Sequence, residues 1–360
     1  MEFGGKKMLT SKMIKEAALA AGADICGIGS MDRFDNAPEL MNPQNLFPEA
    51  KSVICLAFRI PRGVQRGIEE GTQFFQYPSL AYGGTNQMLG PAVLYELGRI
   101  IEDEGYEAFT YRNTGARSII SDMDGKLGQT YSPEEKAFSM DSSGNGITGD
   151  RRTMPHTRPA REGSVPPDLL IQFRLCAVAC GIGEIGWSKM LLTPEFGPMQ
   201  RVVFLFTDAE LEPDPLYSGP KLCKMCMKCA RECPGGCIPT DRTKSITVDV
   251  GGKECTWGDI DVWRCNTYYT AGGKEYNPFV PAEVFDNNAD FLDSKVEMTP
   301  ENEVAAARAM EKYTPCWVGY AMAKCGGCIR GCVSVLEKNG CLKGKFKEPL
   351  RTGKPWKMDR

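Results

Sequence analysis

Residues 223–234 read Cys-Lys-Met-Cys-Met-Lys-Cys-Ala-Arg-Glu-Cys-Pro. This string is the strongest constraint on the fold. Thiols two residues apart wrap one iron–sulfur cubane, and the fourth cysteine, before proline, turns away to ligate a second one. A second cysteine group must therefore lie elsewhere, and Cys325-Gly-Gly-Cys328-Ile-Arg-Gly-Cys332 supplies it. In this exchanged arrangement Cys223, Cys226, Cys229 and Cys332 hold one cubane, while Cys233, Cys325 and Cys328 hold three corners of the other. The eighth thiolate comes from upstream. Cys316 lies nine positions before Cys325 and Cys265 lies sixty before it, so spacing prefers the nearer residue. Structural zinc uses two C-x2-C pairs, a pattern the triple repeat does not fit. The chemistry indicated is low-potential, one-electron transfer.

At 360 residues the chain is too long for a bare ferredoxin and suits about two domains. It is 42% hydrophobic and 25% charged, enough apolar material for a real core. A net charge of −3 recommends neither nucleic acid nor an anionic membrane as partner. Sixteen cysteines without a visible export signal or membrane-spanning run point to a cytoplasmic protein with reduced, metal-bound thiols. The single histidine, His156, sits in a proline-flanked loop and reads as a loop residue. Cys26, Cys55, Cys176, Cys180, Cys237, Cys255 and Cys341 read as small buried hydrophobes.

Before residue 210 helices and strands alternate, which indicates an α/β or α+β layer fold. The pattern predicts a helix over 11–22 with Ser11 as N-cap and Gly22 as stop, then a short strand over 24–28. The apolar run 52–60 suits a buried strand. Pro91 opens a helix through Glu104, Gly105 ends it, and 107–111 resumes as a strand. Residues 113–167 read as long loops, Asp168 as the cap of a helix to about Ala179, and 200–207 as a strong strand. Pro213, Pro215 and Pro220 mark a linker. Residues 240–252 resemble a hairpin, 300–313 a helix, and 343–360 a solvated basic tail.

Residues 177–210 carry Ala177-x-x-x-Gly-x-Gly-Glu-x-Gly186, then Thr193-Pro-Glu-Phe-Gly-Pro-x-x-Arg201, then Thr207-Asp208. The Gly181-x-Gly183-x-x-Gly186 string follows a helix, the wrong context for a dinucleotide. With the double ferredoxin motif, this order of segments resembles the corrinoid-dependent reductive dehalogenases and their relative epoxyqueuosine reductase. The resemblance spans roughly residues 10–335 and is tightest over 177–234. It implies an α+β fold: a nitroreductase-like corrinoid domain over 1–217, then a ferredoxin-like domain with two [4Fe-4S] clusters over 218–342, interrupted by an insertion at about 266–315. It implies base-off cobalamin lined or shaped by Gly181, Gly183, Glu184, Gly186, Thr193, Pro194, Gly197 and Arg201. It also favours Cys265, followed by Tyr268 and Tyr269, as the eighth cluster ligand. The chain departs from the family pattern in following Cys332 with Val333 instead of proline.

By the same resemblance a tyrosine beside a basic residue delivers the proton. The candidates are Tyr82 and Tyr77, with Arg201 as the cation. A small-molecule substrate and an electron donor of ferredoxin or flavodoxin type are implied; an oligomer is compatible with the sequence. Three functions stay open: reduction of a carbon–halogen or similar carbon–heteroatom bond, epoxyqueuosine-reductase-like reduction of a non-halogenated substrate, and electron transfer or corrinoid reduction for a partner protein.

Overall fold

The structure, a computed structural model, describes residues 9–38, 41–66, 72, 76–112, 171–261, 264–265, 268, 274–275, 277, 280–287 and 327–350. His156, Asp168, Tyr269, Cys316, Cys325, the 113–167 segment and the 300–313 helix lie outside them.

The apolar run after Lys51 becomes strand β2 (Ser52–Arg59), and it organises the first half of the chain. Strands β1 (Ile25–Ser30), β3 (Ala108–Tyr111) and β6 (Gln200–Thr207) join it in an antiparallel sheet of order β1-β2-β6-β3. Strand side chains alternate between faces. Ile54, Leu56 and Phe58 therefore meet Val203 and Leu205 under helices α1 (Ser11–Ala20) and α2 (Gly90–Asp103). Val53, Cys55, Ala57, Phe204 and Phe206 line the other face, against helix α3 (Phe173–Ala179). The result is a mixed α+β arrangement with helices on both sides of the sheet.

Several boundaries differ from the sequence reading. The cap of α1 is Thr10, whose extended backbone lets its hydroxyl accept from the Met13 amide at 3.2 Å. Ser11 is already helical and donates its hydroxyl to the Glu212 carbonyl instead. Gln172 caps α3. The hairpin falls later than expected, as β7 (Ser245–Val250) and β8 (Lys253–Gly258) around Gly251–Gly252. The proline-rich 213–220 segment is tied down: Asp214 accepts from the Ile28 amide at 2.9 Å and pairs with Lys15. Nor is the start of the basic tail fully solvated. Lys343 donates its amide to the Pro194 carbonyl at 2.7 Å, and Leu350 is buried.

Residues 78–89 form wide π-type turns running directly into α2. Such turns are rare and cluster at functional sites; nothing in the periodicity announces this one. Strands β4 (Glu184–Ile185) and β5 (Leu191–Leu192) pair as a short ribbon beside the first cysteine motif. Helix α4 (Lys228–Arg231) carries Cys229, helix α5 (Ala282–Asp286) lies in the intervening segment, and helix α6 (Gly327–Lys338) carries Cys328 and Cys332.

Candidate functional site

The first cysteine loop is shaped by its own backbone. Met225 and Met227, between the cysteines, both have positive φ, at 49° and 58°. A non-glycine residue held there is strained, and such strain gathers where a loop must wrap something. The loop is also anchored from outside. One Glu184 oxygen accepts from the Leu222 amide at 2.8 Å and from the Cys223 amide at 2.6 Å. The Trp187 amide donates to the Cys223 sulfur at 3.3 Å.

Helix α6 closes against this loop. A Cβ at Gly327 would overlap the Glu232 carbonyl oxygen, so only glycine permits the approach. Arg330 pairs with Glu232 at 2.7 Å, Lys228 pairs with the same carboxylate at 2.6 Å, and the apolar side of the helix buries Ile329, Val333 and Leu336. The docking carries Cys332 to the first motif: burial, then the charges of Cys223, Cys229 and Cys226, push its thiol pKa up. Cys328 is raised in turn by burial, Cys265, Cys233 and Cys229. Burial first, and then Cys223, takes Cys229 to about 11. Cys265, one of the two candidates for the eighth ligand, packs with Cys233 and Cys328 against one apolar cluster, while Cys316 lies outside the described residues. Cys237, read from sequence as an inert hydrophobe, is buried in the same group. Among the described residues no three such side chains close on one point at the spacing of a single bound ion. The grouping is one of neighbourhood, and its all-thiol chemistry suits iron–sulfur cubanes.

The second cluster of chemistry-bearing residues lies where β6 passes the π-type turns. Arg201 pairs in register with Phe58 of β2 and reaches toward the turns from the sheet. Its Nη2 donates to the Tyr77 hydroxyl at 2.9 Å, and its guanidinium carbon lies 4.2 Å from the Tyr82 ring centroid. The two rings meet edge to face at 6.0 Å. Tyr77 is buried and Tyr82 is partly open. Burial alone would lower the Arg201 pKa, but Tyr77 and Tyr82 outweigh it and the net shift is upward. The Arg201 Nε is buried without a hydrogen-bond partner among the described residues, a donor available to a bound group.

Arg174, on α3, was not singled out from sequence. Burial, and next Arg201, lower its pKa, while Cys265, Cys328 and Tyr82 act in the opposite direction. It is therefore within electrostatic reach of both the tyrosine pair and the second thiol group. Its only sequence signal is a charge in the otherwise apolar Phe-Arg-Leu-Cys-Ala-Val-Ala run.

The remaining motif residues mostly contact protein. A Cβ at Gly181 would overlap the Pro215 carbonyl oxygen and one at Gly183 that of Leu192, while one at Gly186 would lie 2.9 Å from Leu192 Cδ1. Thr193 is buried, donates its hydroxyl to Gln200 at 3.2 Å and pairs by backbone with Gly197. The Pro194 carbonyl receives Lys343, and a Cβ at Gly197 would stand 2.8 Å from Leu336 Cδ1. These residues pack against the chain itself, and Arg201 is the one among them directed at the tyrosines.

No family model matches the chain. It is 33% identical over 104 residues to a tetrachloroethene reductive dehalogenase of Desulfitobacterium hafniense, covering 27% of this chain and 19% of that protein. It is 39% identical over 107 residues to the enzyme of that name from Dehalobacter restrictus, with the same coverages. The chain thus spans about a fifth of the length of the curated relatives it matches. Among solved structures, a catabolic reductive dehalogenase aligns with 86% of this chain and 37% of its own, at TM-score 0.48 and 16% identity. The epoxyqueuosine reductase of Bacillus subtilis aligns with 91% and 80%, at TM-score 0.40 and 16% identity. Over the matched residues the chain is similar in sequence to reductive dehalogenases.

Proposed function

We propose that the chain is a corrinoid- and iron–sulfur-dependent reductase acting on a carbon–halogen or similar carbon–heteroatom bond of a small molecule. The observation that carries this reading is the Tyr77–Arg201–Tyr82 group, with Arg174 within electrostatic reach of it and of the thiols of Cys265 and Cys328. Cys223, Cys226, Cys229 and Cys332 would hold one [4Fe-4S] cluster, and Cys233, Cys265, Cys325 and Cys328 the other. The corrinoid would lie beside Arg201 and Tyr82, within walls formed by the glycine turns of the 1–217 domain. When bound, these groups supply single electrons and a strongly reducing cobalt.

The protein's own part is to hold and move a proton. Tyr82, the more open of the two tyrosines, gives up its hydroxyl proton to the reacting carbon. Tyr77, buried and hydrogen-bonded, fixes the Arg201 guanidinium. The fixed cation stabilises the phenolate left behind and the departing anion.

The test is anaerobic purification and reconstitution with corrinoid, iron and sulfide, followed by metal counts and EPR. About eight irons with one base-off cobalt per chain support the reading. Iron binding without corrinoid binding would reduce the chain to an electron carrier.

A further inference from the structure

We propose that Cys237 is a reserve ligand of the second iron–sulfur cluster, able to take the place of Cys233 or Cys265. The inference rests on the cluster reading above and adds a ninth thiol to it. Cys237 lies one turn beyond Cys233, and its amide donates to the Cys233 sulfur at 3.3 Å. Its side chain is 3% exposed and packs among Trp187, Ile238 and Ile260, with Cys233, Cys265 and Cys328 against the same group. Its thiol is within hydrogen-bonding reach of both Cys233 and Cys265.

The connecting turn, Cys233-Pro-Gly-Gly-Cys237, is built to admit that sulfur. A Cβ at Gly235 would stand 2.8 Å from Cys237 Sγ and 2.7 Å from Tyr268 Cδ2. Gly236 has φ +62°, with no heavy atom near the position a Cβ would take. Two consecutive glycines let the turn shift and bring Cys237 toward an iron that has lost its thiolate. In the exchange the Cys237 S–H proton passes to solvent, the thiolate sulfur binds the open iron, and no electron changes hands. The cluster would then survive loss or oxidation of a primary ligand that would otherwise release iron.

The experiment uses the full chain, reconstituted anaerobically with iron and sulfide, with iron counted and both clusters followed by EPR. The wild type should hold about eight irons, and Cys237→Ala should hold the same. Cys233→Ala and Cys265→Ala should each retain about eight, with the spectrum of one cluster altered. Adding Cys237→Ala to either should drop the count to about four. Should one parent variant fail to fold, the other parent and its double variant decide the question. The proposal is overturned if the folded single variants already fall to about four irons, if the double variants keep about eight, or if Cys237→Ala alone loses a cluster. A wild type that takes up no iron would instead bring down the cluster reading itself.

Discussion

Arg201 donates a 2.9 Å hydrogen bond to the buried hydroxyl of Tyr77 while its guanidinium lies against the ring of Tyr82. The two tyrosines therefore separate by experiment. Tyr82→Phe removes the proposed proton donor and should lower turnover by about 10²–10⁴-fold. Tyr77→Phe leaves Arg201 in place but without the Tyr77 acceptor. The lost bond to a charged group costs about 1.5–3 kcal/mol, and it should appear as reduced stability with a smaller loss of rate. Both variants should keep wild-type iron and corrinoid content. Turnover of a halogenated small-molecule probe that the wild type reduces, followed by gas chromatography, is the readout. Full activity in both variants would remove these tyrosines from the mechanism.

Glu184 should matter more to iron than to substrate. One carboxylate oxygen receives two consecutive amides, Leu222 and Cys223, and so fixes the entry of the first cysteine loop. Glu184→Ala leaves both amides unpaired, at about 1–3 kcal/mol each if water cannot reach them. The first cluster should then release iron faster under mild oxidation, with the second unaffected. Glu184→Gln retains an acceptor oxygen and should lie between wild type and alanine. Iron release timed by chelator absorbance distinguishes the three.

The sheet was readable because its strands are short apolar runs bounded by breakers. Residues 200–207 emerge with the bounds the sequence predicts, and 52–60 differs by one residue. The cysteine spacing likewise predicts an exchange between two distant segments, and helix α6, which carries Cys332, packs against the first motif. The misses have a different origin. Thr10 and Ser11 are equally good caps by residue type, and only the backbone angle chooses between them. The π-type turns over 78–89 carry no periodic signature of their own. Glu184 and Arg174 are long-range relationships: each faces partners from another element, so local pattern says nothing about them. The glycine turns were legible as close approaches, but not as approaches to the chain's own carbonyls.

Gly327 and Gly331 make a paired test of how α6 reaches the first motif. A methyl at Gly327 meets the Glu232 carbonyl, a backbone atom that cannot move without shifting the cysteine loop. A methyl at Gly331 comes no closer than 3.0 Å, to Glu232 Cγ, which can rotate away. Gly327→Ala should therefore push α6 outward, withdraw Cys332 and lose iron from the first site. Gly331→Ala should cost at most about 1 kcal/mol and keep both clusters, since alanine is the better helix former. Equal iron content in the two variants would argue that Cys332 is not delivered by this packing.

The thiols on the two faces of the sheet give the fold a pH dependence of its own. Burial, and then Cys180, raises Cys26 to about 12, and the same two causes raise Cys176. Cys55 is raised by burial and by Cys180 as well. Thiols of an unfolded chain titrate at about 8.5. Above that pH the unfolded chain has lost protons that the folded chain retains, so raising the pH favours unfolding. The stabilisation is complete below about 8.5 and is lost progressively toward the folded values, at about 1.4 kcal/mol per pH unit for each thiol. Anaerobic urea unfolding between about pH 8 and 10, the interval that brackets the unfolded value, should show a falling midpoint, and Cys26→Ala should flatten the slope by one thiol's share. A midpoint unchanged over that interval would mean that the thiols keep similar pKa values in the folded and unfolded chain.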